Sequence, residues 1–240
     1  MRRLVGLALV ATLAACQKPA RLQERSLAPP TSSTSPRRDP PGFYMGREIA
    51  PTMTHDAADW LIRETRDSEE NATRMLAELG LKPGDVACDL GAGNGYHTLK
   101  MARAVAPAGK AYAVDIQPEM LDLLRERAKA DGVTNVELVL GSQTGTNLPK
   151  GVCDLILMAD VYHELSDPEA VLRDVRRALS ARGRLVLLEF RGEDPDVPIK
   201  PEHKMTRAQI MKEMSANGLS LVRSFDELPW QHLMFFAASP

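Results

Sequence analysis

Val86-Ala87-Cys88-Asp89-Leu90-Gly91-Ala92-Gly93-Asn94-Gly95 is the stretch on which the reading of this chain turns. Val86 to Leu90 is short and mostly apolar, and it follows a Pro83-Gly84-Asp85 turn. That is the pattern of a parallel strand covered on both faces. Gly91, Gly93 and Gly95 then stand at alternate positions, where the missing Cβ allows a tight turn and close approach of a ligand to the backbone. Tyr96 to Val105 continues as a helix with Leu99, Ala102 and Val105 on its apolar stripe. Strand, glycine turn and helix make the opening half of a βαβ unit.

Working outward, the 240 residues are 44% hydrophobic and 26% charged, with a formal net charge of −2, which suits one sizeable α/β domain and excludes global disorder. The charge balance offers no basic face for nucleic acid, and 5% aromatic content argues against base stacking. Met1 to Cys16 is read as a targeting segment: Arg2 and Arg3 are followed by the uncharged apolar run Leu4 to Ala15, too short for a span of roughly 20 residues. It ends in Leu13-Ala14-Ala15-Cys16, which resembles the lipobox of bacterial lipoproteins. That resemblance implies cleavage before Cys16, lipidation of its thiol and a membrane-anchored N-terminus, with acyl chains contributing ~0.8 kcal/mol per buried methylene. Gln17 rather than Asp follows the cysteine, which favours the outer membrane over the inner. Residues 17–41, rich in Pro, Ser, Thr and Arg without apolar periodicity, read as a disordered tether, leaving 42–240 as the folded domain. Cys88 and Cys153 fall in or beside expected strands and read as small core residues rather than as a metal pair or a disulfide, although an even pair in an exported chain permits a bridge. No metal site is expected.

Along the domain, Phe43 to Thr54 has no clean period and reads as packing or as a lid, with Tyr44 and His55 of interest. Asp56 to Glu64 reads as a short helix carrying Trp60 and Leu61, and Ser68 as the cap of a second helix through Leu79 that stops at Gly80. Strands are expected at Lys110 to Ile116, Val136 to Leu140, Asp154 to Ala159 and Arg184 to Phe190. Helices are expected at Pro118 to Asp131 and from Asp167-Pro168-Glu169 to Leu179, the latter capped by Asp167. Thr206-Arg207-Ala208-Gln209 is a capping-box pattern opening a helix that ends at Asn217-Gly218. Leu219 to Phe225 and His232 to Ala238, joined by a short connection, are expected to pair antiparallel. The whole is an α/β, Rossmann-like three-layer α/β/α sandwich: a mostly parallel seven-stranded sheet with a C-terminal antiparallel hairpin. Ligands in such sheets bind beyond the carboxyl ends of the strands, which gathers the Gly91 loop, Asp115 and Asp160 to Glu164 around one crevice.

Two phosphate-binding readings of the loop fail. No Gly-Lys-Ser/Thr follows it, and the third glycine of a dinucleotide fingerprint is replaced by Tyr96. Asp115 ends the second strand, where a carboxylate can accept both hydrogen bonds of a ribose diol. Together, Asp89 to Gly95, Ala113-Val114-Asp115, Cys153 to Leu157 and Gly183 to Leu187 resemble, in order and spacing, the motifs of class I S-adenosylmethionine-dependent methyltransferases. Asp160 to Leu165, with Tyr44 to Glu48 upstream, is similar to a subgroup of exported bacterial members. The resemblance implies S-adenosylmethionine as cofactor. It implies that Gly91, Gly93 and Gly95 pass close to the methionyl part, that Asp89 orients the loop, that Asp115 holds the ribose and that Ile116 packs on the adenine. Where the family usually carries an acid for the adenine amino group, this chain has Gly141-Ser142-Gln143-Thr144-Gly145-Thr146, so Ser142 or Gln143 takes that place with a neutral hydrogen bond.

Methyl transfer is an in-line displacement on an activated sulfonium, and a general base is needed only where the acceptor atom carries a proton. Asp160, Tyr162 and His163 are the expected catalytic residues, His163 first, with Glu164 beside them. His203 is expected in solvent, and Glu189 and Arg191 are expected either to line the crevice or to pair with each other. Asp160-Val161-Tyr162-His163 departs from the Asn/Asp-Pro-Pro-aromatic pattern of amino-base methyltransferases, and buried cysteines do not suit arsenite chemistry. The absence of a large recognition insertion favours a small-molecule acceptor. The competing expectation is a non-catalytic S-adenosylmethionine-binding or scaffolding lipoprotein, since an exported chain meets little of a cofactor made in the cytosol.

Overall fold

The structure is a computed structural model that describes residues 39–239. The targeting segment, Cys16 and nearly all of the expected tether lie outside the described residues.

Alternation along the strands builds the sheet's two faces. In the strand Cys153–Ala159 (β6), Leu155 and Leu157 face one cluster while Ile156 and Met158 face another. The same two-residue period divides Val186 and Leu188 from Leu185 and Leu187 in Leu179–Phe190 (β7). One face is covered by Met75 and Leu79 of Ala72–Leu79 (α2) and by Met101 and Val105 of Tyr96–Val105 (α3). The other is covered by Val171, Leu172 and Val175 of Pro168–Ala178 (α5) and by Ile210 and Met214 of Arg207–Ala216 (α6). Both faces of the central strands are therefore dry, and they read as near-continuous apolar runs.

Before the sheet come a small hairpin, Phe43–Tyr44 (β1) with Arg47–Glu48 (β2), a 3₁₀ helix at His55–Ile62, and the helix Arg66–Glu70 (α1). Val86–Leu90 (β3), Lys110–Asp115 (β4), Val136–Leu140 (β5), β6 and β7 are parallel. Pro118–Ala130 (α4) links β4 to β5. Leu219–Phe225 (β8) and Gln231–Ala238 (β9) close the sheet in the order β5-β4-β3-β6-β7-β9-β8, with β9 antiparallel to both neighbours. This is the expected Rossmann-like architecture.

Three local expectations are corrected. Ser68 does not cap a helix; its hydroxyl donates to Thr65 O, and the helical run breaks at Asn71. Asn71 sits at φ 54°, ends α1 and accepts from Arg74 N to begin α2, because Asn tolerates the left-handed region and keeps a side-chain acceptor for the cap. Gly80 does stop α2, at φ 64°. The final parallel strand begins at Leu179 rather than Arg184, its register jumping from Cys153–Leu179 to Leu155–Arg184. At Gly183 a Cβ would lie 2.5 Å from Cys153 O, so only glycine lets that bulge close on β6. Finally, Cys88 and Cys153 are joined by a disulfide between β3 and β6, with Cα atoms 6.0 Å apart. The cysteines are 65 residues apart in sequence, and the adjacency of β3 and β6 in the sheet brings them together.

Candidate active site

Beyond the carboxyl ends of β3, β4, β6 and β7 lies a cavity of about 520 Å³. That is within the roughly 300–1,000 Å³ typical of small-molecule sites. The sheet supplies its floor through Gly91, Asp115, Asp160 and Phe190. The segment before the sheet supplies Met53, Trp60 and Leu61, and the β7–α6 connection supplies Ile199 and His203.

Gly91 turns the chain at φ 75°, and a Cβ there would lie 2.4 Å from Val161 Cγ2. The loop and the post-β6 turn are therefore in contact only because Gly91 is glycine. Asp115 is buried at the end of β4. Its Oδ2 accepts from Gly93 N at 2.8 Å and its Oδ1 from Gln117 N at 2.9 Å. Burial raises its pKa, and those two backbone bonds oppose the rise. Each carboxylate oxygen keeps a second acceptor position. Gln117 also donates to Met53 O and accepts from His55 N, tying the N-terminal segment to the rim. Ile116, 36% exposed, presents its apolar side chain to the cavity, and Gln143 lies on the same wall with its side-chain carbonyl accepting from Ser166 Oγ.

Two of the expected loop contacts sit elsewhere. Asp89 does not line this cavity. It is buried behind the loop, where Thr98 Oγ1 donates to it at 2.6 Å, and desolvation raises its pKa to about 6. Gly95 is also off the wall. A Cβ on it would lie 2.6 Å from Leu124 Cγ, so its role is close packing of α3 against α4.

The turn after β6 separates the three expected catalytic residues. Asp160, at φ 55°, lines the cavity; its Oδ2 accepts from Gln231 Nε2 at 3.2 Å and lies 4.0 Å from Arg66 Nη2, while its Oδ1 is buried without a partner. Desolvation first, then the charges of Glu70 and Glu189, push its carboxyl well above the usual range. Tyr162 turns away from the cavity. It is fully buried, its hydroxyl donates to Glu213 Oε2 at 2.7 Å, and its ring lies under the Arg47 guanidinium. Arg47 in turn grips Glu213 at 2.7 Å and donates to His163 O at 2.9 Å, which ties the β1–β2 hairpin to α6 and to this turn.

His163 lines the cavity. Its Nδ1 donates to the buried Glu189 Oε2 at 2.6 Å, which leaves Nε2 with the ring's lone pair. Glu189 also accepts from Tyr162 N, so both its oxygens are committed and it does not pair with Arg191; that guanidinium donates to Pro229 O and Asp226 O. His203, expected in solvent, instead lies with Nδ1 3.1 Å from His163 Nε2, and burial lowers its pKa. Glu164 Oε1 is 3.9 Å from His163 Nε2 and 3.7 Å from His203 Nδ1. Desolvation raises the Glu164 pKa to about 7. His203 and the buried Arg66 are among the wall residues that sequence reasoning missed. Neither sits in a periodic segment facing the crevice, and each arrives through a tertiary contact.

A methyltransferase-domain model matches residues 81–233, well over half of the chain. Ubiquinone/menaquinone biosynthesis C-methyltransferase UbiE of Enterobacter sp. (strain 638) is 34% identical over 112 residues, covering 46% of this chain and 45% of that protein. An uncharacterized 37.1 kDa protein in transposon TN4556 of Streptomyces fradiae is 35% identical over 115 residues, covering 48% of this chain and 33% of that one. The chain thus spans less than half the length of these curated relatives. The crystal structure of a SAM-dependent methyltransferase from Aquifex aeolicus superposes with a TM-score of 0.73 at 25% identity, covering 77% of this chain and 98% of that one. The cavity suits the cofactor such proteins use: the glycine loop lines it with bare backbone, a buried carboxylate with free acceptor positions ends β4, and its remaining walls are largely apolar. The chain belongs to the methyltransferase-domain family, with S-adenosylmethionine as its cofactor.

Proposed function

We propose that this domain transfers a methyl group from S-adenosylmethionine to a small-molecule acceptor bound in the cavity, and that it does so outside the cytoplasm on a lipid anchor at Cys16. The observation that carries the reading is the Glu189–His163 pair at 2.6 Å, buried on one side and opening on the cofactor cavity on the other. When bound, the cofactor supplies a methyl on a positively charged sulfur already activated for in-line displacement. Asp115 takes the ribose hydroxyls, Ile116 and Gln143 take the adenine, and Met53, Leu61 and Val161 exclude water. Glu189 fixes the His163 tautomer, so that Nε2 can accept the proton of an acceptor hydroxyl, amine or thiol in place of its contact with His203. With the cofactor bound, the acceptor would take the methyl as the carbon–sulfur bond breaks, and His163 would hold the acceptor's proton. Asp160 lines the same cavity, but its unpartnered Oδ1 is buried, and it is assigned no step. Tyr162 has no part in this account, because its hydroxyl is committed to Glu213.

Export is supported by Leu13-Ala14-Ala15-Cys16 and by the Cys88–Cys153 bond, since such bonds persist in oxidising compartments. Isothermal titration with S-adenosylhomocysteine, followed by turnover with a panel of small hydroxyl, amine and thiol acceptors, tests the activity. Tight binding with no turnover on any acceptor would favour the scaffolding alternative, and no binding at millimolar concentration would defeat both. For the anchor, a Cys16→Ser chain should leave the membrane fraction, and its retention there would refute lipidation.

A further inference from the structure

The polar cluster on the acceptor side of the cavity has the dimensions of a metal centre. His163 Nε2, His203 Nδ1 and Glu164 Oε1 form a triangle with sides of 3.1, 3.7 and 3.9 Å. The nearest point equidistant from the three atoms lies about 2.1 Å from each. Bonds from zinc to imidazole nitrogen run about 2.0–2.1 Å and to carboxylate oxygen about 2.0–2.2 Å. Among the described residues this is the one grouping of three or more His, Cys, Asp or Glu side chains with ligand atoms so close.

Three further observations agree. His163 gives its other ring nitrogen to Glu189, the carboxylate–histidine arrangement that orients metal-binding imidazoles. The two imidazole nitrogens facing each other at 3.1 Å need one shared proton to be at rest, whereas a cation would satisfy both lone pairs together. Finally, all three side chains line the cavity, which leaves the remaining coordination position open toward the space an acceptor would occupy. The sequence held no sign of this: His163-Glu164 and His203 are separated by α5, β7 and a long connection, with no ligand spacing between them.

We infer that His163, Glu164 and His203 bind one divalent transition-metal cation of the zinc type, held by two nitrogens and one oxygen, and that its open position receives the acceptor's nucleophilic oxygen, nitrogen or sulfur. Sites with three protein ligands and an open position are those in which the metal acts on substrate. As a Lewis acid the cation lowers the proton affinity of the atom it holds, so with the metal bound the acceptor's proton passes to water, and the base role proposed for His163 applies to the metal-free chain. No change of oxidation state is involved, so a redox-inert ion suffices. The use of the site in methyl transfer rests on the proposed function; the binding itself does not.

The test uses the full chain stripped with a chelator and titrated with Co²⁺, followed by visible absorption, with Zn²⁺ as competitor. S-adenosylhomocysteine titrations run in parallel. One equivalent of Co²⁺ should give a saturable band that Zn²⁺ abolishes. His203→Ala and Glu164→Gln, both at partly exposed positions, should each weaken binding by more than the ~10–100-fold that loss of an outer-shell partner costs. Both variants should keep their S-adenosylhomocysteine affinity, which also shows that they are folded. A wild-type chain that binds S-adenosylhomocysteine but shows no saturable Co²⁺ band would overturn the inference, as would a band unchanged in both variants. A Co²⁺ band without S-adenosylhomocysteine binding would instead defeat the methyl-transfer reading and leave the cation site standing.

Discussion

Asp115 joins the glycine loop to the ligand space. One carboxylate orders the loop through Gly93 N and the next turn through Gln117 N, and it lines the cavity. Asp115→Ala should weaken S-adenosylmethionine binding by ~1.5–3 kcal/mol, the worth of hydrogen bonds to a charged group. Calorimetry reads this directly, and an unchanged affinity would remove the assigned ribose contact. Asp89, just behind, gives a pH signature. Its folded pKa of about 6 stands above its ordinary value of 3.8, so the folded chain holds a proton that the unfolded chain has already released. The stability it contributes is full below about pH 4, falls as pH rises and is gone above about pH 6. At ~1.4 kcal/mol per unit the difference is about 3 kcal/mol. Asp89→Asn still offers Thr98 an acceptor and should flatten that slope in urea titrations, raising stability at neutral pH. Asp115 could be placed at the cavity from sequence because it ends a strand whose carboxyl end opens there. His203 could not, since its partners come from the other side of β7. Tyr162 misled for a related reason: in a 3₁₀ turn successive side chains diverge, and His163 takes the cavity while Tyr162 takes the core.

At the scale of elements, caps were readable where one side chain serves one helix end. Asp167 accepts from Ala170 N and Thr206 from Gln209 N, as their positions foretell. The reciprocal half of the Thr206 capping box is absent, because Gln209 turns to Glu213 and Met45 O. The β1–β2 hairpin could not be read, because strands of two residues carry no period. It is held from outside itself: Arg47 forks onto the fully buried Glu213 at 2.7 and 3.2 Å. Arg47→Ala leaves that carboxylate without its cation and should cost about 3 kcal/mol in denaturant unfolding. Arg47→Lys should recover only part of the loss, because an ammonium cannot span both oxygens.

For the whole molecule, the mostly parallel sheet and its closing hairpin followed from alternating strands and helices, because parallel strands need crossovers and the last two segments were too close in sequence to be anything but antiparallel. The Cys88–Cys153 bond did not follow, because pairing between cysteines in different strands depends on which strands become neighbours. It closes a loop between positions 65 apart, for which chain entropy alone predicts about 4 kcal/mol. Cys153→Ala, or reduction of the native chain, should therefore lower the thermal midpoint markedly, and a midpoint unmoved by reductant would show that the bond carries no stability.

The position of β9 has a consequence in time. β8 is made before β9, yet β9 lies between β8 and β7 and supplies the ladder partners of both. During vectorial synthesis β8 emerges with no edge to join, and Phe235 and Phe236, one for each face of the sheet, arrive only with the last strand. A chain emerging at ~5–20 residues per second thus stays open along one side until its final strand appears. β8 therefore has no ladder partner until β9 is made, so the two strands join the edge of β7 together.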